Sequence, residues 1–250
     1  MAKEVSPVND VACLRDVLSE NILINAVFVY RVFESGQYFD CFANEDCTVA
    51  LAVSKDGEDV LFTGEWRDYE LPDALPSKGF FLSACPTAAL DLIKQKFEIK
   101  DEWPCWHYLT PERYGPGPWD DLGPLTSDDV PDIAGYWELS DNPENHIRRK
   151  VAEFDSACLR VDGKPASWVG LHFEVDRVAN MGFAHTLNEH RRKGYAIMVT
   201  KAIVNRLAKR GIRTTCHVIK ENVNSVALCE RLGFTRLGEA TWADIGGPLD

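Results

Sequence analysis

The chain has 250 residues and a formal net charge of −12, with 45% hydrophobic, 26% charged and 10% aromatic residues. That length can fill one large core or two modest ones, and the composition excludes a disordered or fibrous chain. No run of about 18 apolar residues occurs, so no membrane span is expected, and an acidic chain would be repelled by a nucleic-acid backbone.

The opening "MAKEVSPVNDVACLRDVLSE" has no apolar leader core and carries Glu4, Asp10, Asp16 and Glu20, which argues for a cytoplasmic protein. Eight cysteines are scattered without a C-x-x-C pair, the pattern of reduced thiols used as small apolar filler. No metal is expected, because Cys105 with His107, and Cys216 with His217, lack a second pair at ligand spacing.

Two stretches read as strand, Asp-Gly turn, strand: "VALAVSKDGEDVLFTGEW" (49–66) and "ACLRVDGKPASWVGLHF" (157–173). Each is followed by another strand-like run and a helix. In the first half these are "GFFLSAC" and "PTAALDLIKQKF", and in the second "VANMGFAHTL" and "GYAIMVTKAIVNRLAKR". Between the halves lies "TPERYGPGPWDDLGPLT" (110–126), dense in Pro and Gly. The expected organisation is therefore two α/β units in tandem, 1–112 and 120–250.

Within the second unit, "GPLT" (123–126) reads as a short strand. A helix over 127–139 follows, capped by Ser127, and then a helix opened by Asn142 and Pro143. After the hairpin, the patterning predicts a strand over 178–187, a helix over 194–210 stopped by Gly211, and a strand over 213–219 parallel to the earlier one. A helix capped by Asn222 and a final strand over 235–245 complete the chain.

From Leu187 to Asp250 the chain carries 11 Lys+Arg against 6 Asp+Glu, net +5, which leaves −17 on the rest. The basic residues include Arg191, Arg192 and Lys193, directly before Gly194 and the first turn of the 194–210 helix. Cations at a helix N-terminus oppose its dipole at about 0.3–1 kcal/mol each. A bound anion offsets that cost, and free backbone N–H groups, a glycine that admits close approach and three cations together suit a phosphate or pyrophosphate.

"RRKGYA" (191–196) is similar to the pyrophosphate loop of the GNAT superfamily of acyl-CoA-dependent N-acyltransferases. "NVNSVALCERLGF" (222–234) resembles that family's last-helix pattern, and the two motifs are separated by one helix and one strand, as in the family. The stretch "MGFAHTLNEHRRKGYA" with an α/β half before it resembles the glycine N-acyltransferase-like branch.

The resemblance implies a mixed-sheet GNAT-type α/β fold over about 120–245, preceded by an α/β half that is a degenerate GNAT-like unit without a cofactor motif. It implies acetyl-CoA or another acyl-CoA as co-substrate and a small amine or amino acid as acceptor. Backbone N–H groups from Arg192 to Ala196, through Lys193, Gly194 and Tyr195, would hold the pyrophosphate, assisted by Arg191 and Arg192. The pantetheine arm would lie along Ala184 to Leu187, with Asn222 reaching it. A strand N–H near Thr186 or Leu187 would meet the oxyanion. The first half would shape the acceptor site or a homodimer.

The general base is open between His185, ranked first, and Glu189, with Glu174 and Asp176 at the turn before that strand. Where the family often places a tyrosine acid, this chain has Cys229, a thiol able in principle to protonate a leaving thiolate and more simply read as filler. Two alternatives stand beside the small-amine enzyme: transfer to a protein lysine or N-terminus, and a non-catalytic acyl-CoA-binding module.

Overall fold

The computed structural model describes residues 3–137 and 142–249. The chain divides into two compact units: residues 1–107, 218–221 and 237–250, and residues 108–217 and 222–236. No helix among the described residues is long and apolar enough to cross a membrane.

The first unit starts with β1 (Ser6–Pro7), α1 (Val11–Glu20) and α2 (Ile22–Val29). The Asp10 carboxylate caps α1, accepting from the N–H groups of Ala12 and Cys13. Then come β2 (Phe39–Ala43), β3 (Ala50–Ser54), β4 (Asp59–Thr63), β5 (Phe80–Cys85), α3 (Thr87–Lys94) and β6 (Phe97–Leu109). β2, β3 and β4 form an antiparallel meander, and β5 pairs parallel to β4. The core is built on Leu51, Val60, Trp66, Leu82 and Ile93, all at most 1% exposed. In the expected hairpin the connection is longer than a two-residue turn, and of the Asp-Gly pair only Gly57 takes a positive φ, 71°.

In the second unit the expected "GPLT" strand does not form. Pro124 has no N–H to give a ladder, and the segment instead makes single bonds, the Cys158 N–H donating to the Gly123 carbonyl and the Leu125 N–H to the Ser156 hydroxyl. The expected helix over 127–139 is broken. A 3-10 turn (Ser127–Asp129), α4 (Val130–Ile133) and a second 3-10 turn (Ala134–Tyr136) replace it, with Pro131 and Gly135 as the helix-weakening residues. Its cap is Thr126 rather than Ser127, in a reciprocal capping box with Asp129. The end of that expected helix, 138–139, lies outside the described residues. α5 (Pro143–Glu153) is capped by Asn142.

The predicted hairpin forms as β7 (Ser156–Val161) and β8 (Lys164–Val175), with Asp162 and Gly163 at φ 51° and 81°. β9 (Val178–Thr186) pairs antiparallel to β8. α6 (Tyr195–Lys209) crosses over, and β10 (Arg213–Ile219) returns parallel to β9. α7 (Val223–Arg231) follows, capped by Asn222. The last strand, β11 (Thr235–Pro248), pairs antiparallel to β5, so its residues from 237 on belong to the first unit.

The two units share a chain order. In each, three antiparallel strands lead to a crossover and a strand parallel to the third, then to a helix. The crossover differs: after β9 it is the 15-residue α6, whereas after β4 it holds only a 3-10 turn at Trp66–Asp68. The stretch "ACPTAALDLIKQ" therefore occupies the topological place of β10 and α7, not of β9 and α6.

Within the second unit, Gly170 on β8 pairs with Gly182 on β9. A Cβ on Gly170 would stand 1.8 Å from the Phe183 ring, and one on Gly182 1.7 Å from His172 Nε2. The two glycines thus let a phenyl and an imidazole ring lie against backbone. Gly170→Ala is expected to cost about 3 kcal/mol by overpacking. A urea midpoint equal to wild type would show that Phe183 can move aside at no cost.

Candidate active site

β9 and β10 pair over only four positions, from Val178 with Arg213 to Met181 with Cys216. Beyond Met181, β9 continues to Thr186 bound on its β8 side alone. A bulge against β8 lies in the same stretch of β9. Trp168 pairs with His185 and Gly170 with Gly182, so Phe183 and Ala184 oppose the single residue Val169, and Phe183 takes φ 34°. Beyond Met181, β9 therefore has a backbone edge without a β10 partner.

The far end of β9 is firmly placed. Leu187 N–H donates to the Ala166 carbonyl (3.1 Å), so it faces β8 and is not available to an oxyanion on the other edge of β9. Strand alternation directs the Thr186 backbone the other way. Its carbonyl accepts from Arg191 Nε (3.2 Å), and its hydroxyl lies 2.8 Å from that of Ser167. Ser167 also donates to the His185 carbonyl (3.2 Å).

A 3-10 turn (Asn188–His190) leads to the basic stretch. Arg192 and Gly194 both adopt positive φ, 63° and 80°. These two left-handed residues swing the chain into α6, with Gly194 at the N-cap, where no side chain accepts from the first turn. A Cβ on Gly194 would meet nothing within 4 Å, so the helix N-terminus opens to space. Arg191, Arg192, Lys193 and Gly194 are exposed, and Tyr195 and Ala196 half-buried. Among the described residues no carboxylate neutralises the three cations. Lys193 Nζ lies 3.4 Å from His190 Nδ1, and the His190 ring lies 6.1 Å from that of Tyr195. An uncapped 15-residue helix, a glycine with open space above it and unneutralised cations fit a pyrophosphate.

His185 sits on β9 inside an aromatic wall. Its ring lies 4.4 Å from Tyr136 and 5.3 Å from Trp168, which is 2% exposed. Burial, and secondarily the Arg191 charge, hold its pKa below the ordinary histidine value. It is therefore a neutral imidazole near physiological pH. Tyr136, half exposed, was missed in the sequence because it falls on a stretch patterned as helix; no local signal brings it to His185.

Other candidates lie elsewhere. Glu189 is exposed, in the turn after β9. Glu174 is engaged by Arg210 (2.8 Å), and Asp176 lies at the opposite end of β9 from His185. Cys229 is buried at 5% exposure on α7. Asn222 spends its side-chain oxygen on capping α7, accepting from Ser225 N–H (3.1 Å), which leaves its amide NH2 for a ligand. Tyr114, also unmarked in the sequence, donates its hydroxyl to the Leu232 carbonyl (2.9 Å) and its backbone N–H to Asn205 (2.7 Å), fastening the Pro/Gly-rich segment to this unit.

Residues 163–243 match the FR47-like protein family. The fold is similar to several solved structures. One is a putative GNAT acetyltransferase from Novosphingobium aromaticivorans, at 18% identity over 79% of this chain and 88% of that one, TM-score 0.54. A second is a GNAT-family acetyltransferase from Colwellia psychrerythraea, at 12% identity over 96% and 98%, TM-score 0.59. A third is a tandem GNAT protein from the clavulanic acid biosynthesis pathway, at 13% identity over 98% and 99%, TM-score 0.54. The mixed α/β fold of the chain is thus the one these GNAT structures have, and residues 163–243, which carry the uncapped glycine turn, match the FR47-like protein family.

Proposed function

We propose that the chain is an acyl-CoA-dependent N-acyltransferase that moves an acetyl or other acyl group to the amine of a small molecule or amino acid. The observation that carries this reading is the uncapped N-terminus of α6 at Gly194, flanked by unneutralised cations and adjoining the free edge of β9. The unit of residues 108–217 and 222–236 carries the reaction.

The acyl-CoA supplies an activated thioester when bound. The first-turn N–H groups of α6, around Tyr195 and Ala196, bind the pyrophosphate, with Arg192 and Lys193 adding charge. The β9 edge near Thr186 takes the pantetheine arm as an added strand, and Asn222 offers its amide to the same arm. His185, neutral and walled by Tyr136 and Trp168, takes the proton from the attacking amine at its ring nitrogen. The aromatic wall limits water at that point. Positioning of the two substrates supplies much of the rate.

Thiol release from acetyl-CoA, measured over a panel of small amines and amino acids, tests this reading. His185→Ala is expected to lower kcat/KM by about 10²–10⁴ with the best amine. The base works in its neutral form and its pKa is depressed, so the acid limb of kcat/KM should lie below 6.5. Arg191→Gln removes one depressing charge and should move that limb upward. An unchanged rate in His185→Ala would remove His185 from the chemistry.

A further inference from the structure

β9 and β10 both run on past their last pair, Met181 with Cys216, and His217 is the first residue of β10 beyond it. This half-buried histidine has no part in the binding and proton transfer described above. A short polar chain holds its ring. The Thr215 hydroxyl donates to the Ala179 carbonyl (3.5 Å), and its oxygen accepts from Asn180 Nδ2 (3.1 Å). The same amide nitrogen lies 3.4 Å from His217 Nδ1. Asn180 is 4% exposed, so its amide makes its bonds within the fold.

An amide NH2 only donates, so His217 Nδ1 accepts. The proton of the neutral ring is then on Nε2, away from Asn180. An imidazolium would turn an Nδ1–H against that amide, so the setting favours the neutral ring. A neutral imidazole is a hydrogen-bond donor at Nε2, and far too weak an acid to protonate a thiolate.

The same contact places the ring. Asn180 and Gly182, two apart on β9, share one side of the sheet. A Cβ on Gly182 would meet His172, whose ring packs at 5.3 Å on Trp137, the neighbour of Tyr136. His217 therefore lies on the side where Tyr136 covers His185. An acyl-pantetheine arm anchored at Gly194 and laid along the β9 edge runs from Thr186 toward Gly182, a path of about 13 Å at about 3.3 Å per residue. It stops there, because from Met181 back the edge is taken by β10. The acyl end comes to rest beside Gly182 and His217.

On the acyl-transfer reading, we infer that His217 is a further catalytic residue, its Nε2–H donating to the thioester carbonyl oxygen. As the amine attacks, the carbonyl π electrons move to that oxygen, and the hydrogen bond strengthens as the oxygen becomes an anion. His217 keeps its proton. When the oxyanion collapses, the carbonyl re-forms and the C–S bond breaks with its electron pair on the thiolate. His217 thus fills the donor role that Leu187 N–H, turned to β8, does not.

The test compares acyl transfer by wild type, His217→Phe and His217→Gln, with infrared spectra of bound acetyl-CoA carrying carbon-13 at its carbonyl. Phe keeps a flat ring without the donor. It should lower kcat about 10²–10³-fold with little change in KM for acetyl-CoA. The thioester carbonyl band should lie at higher frequency in this variant than in wild type. Gln returns an N–H near the place of Nε2 and should recover part of both effects. Independently of any variant, nitrogen-15 spectra of wild type should show His217 as the Nε2–H tautomer, with that resonance moving when acetyl-CoA is added. The inference is overturned, with the acyl-transfer reading intact, if wild type turns over and His217→Phe matches it in rate and carbonyl band, or if His217 carries its proton on Nδ1. A wild type that neither gains stability from acetyl-CoA nor releases thiol overturns both.

Discussion

Acetyl-CoA at about a hundred times its dissociation constant is expected to stabilise the wild-type chain by about 2.7 kcal/mol, seen as a rise of a few degrees in melting temperature. The Gly194→Glu variant should show no rise. Gly194 is the N-cap of α6 at φ 80°, and a Cβ added to it would have no neighbour within 4 Å. A side chain there meets no clash and costs about 1–2 kcal/mol in backbone strain. The glutamate carboxylate then lies at the helix N-terminus, where an anion recovers about 0.3–1 kcal/mol. The variant should therefore fold, with its own carboxylate in the place a pyrophosphate would take. Gly194→Ala carries the same strain without the charge and should keep most of the ligand-induced rise. That pair separates loss of the anion site from loss of the fold. A rise in Gly194→Glu equal to wild type would show that acyl-CoA binds away from this turn, and no rise in wild type would remove the main support for the transfer reading.

The parts of this site that the sequence displays are local in origin. Arg191 to Ala196 are contiguous, Gly194 marks its own conformation, and the α6, β10, α7 succession follows from period and caps within a residue or so. What was not legible depends on contacts distant in sequence. The bulge at Phe183 arises where β8 and β9 fall out of register, and neither strand shows this alone. The wall around His185 needs Tyr136, delivered by a helix that Pro131 and Gly135 break into turns. β6 was not placed at all: "FEIKDEWPCWHYL" carries several charges and a proline, which suit neither strand alternation nor a buried run. The missing crossover helix in the first unit was obscured for a related reason. The stretch after β5 does look like strand then helix, and only the parallel pairing of β4 with β5 shows which crossover it follows.

Stability is expected to fall steeply as pH drops from 6.5 toward about 4, because three histidines are held neutral by the fold. His107 is 5% exposed, and burial pushes its pKa down to about 4. Burial, with Lys150 and Arg149 nearby, brings His146 to about 4. His172 lies lower, at about 3, through burial first and then the charges of Lys150 and His146. Lys150 is itself buried, its Nζ donating to the His172 carbonyl (2.5 Å), so it cannot leave for solvent without breaking that bond. Above 6.5 these imidazoles are neutral in both folded and unfolded chains, and the full stability is present. As pH falls below 6.5 the unfolded chain takes up protons that the folded chain refuses, so stability is lost until the folded pKa is reached. For His107 the loss is about 3 kcal/mol by pH 4, at about 1.4 kcal/mol per unit. Three such groups titrating in overlapping ranges can consume much of the ordinary stability of a domain, about 5–15 kcal/mol, so acid unfolding should begin well above the carboxylate range. Urea unfolding followed by tryptophan fluorescence across this window measures the slope. His172→Phe keeps a ring over Gly182 and removes one titrating group, so its stability should depend less on pH than that of wild type. Equal slopes in the two proteins would mean that His172 accepts a proton in the folded state, by opening the layer of Trp137, His146 and Phe183 that surrounds it.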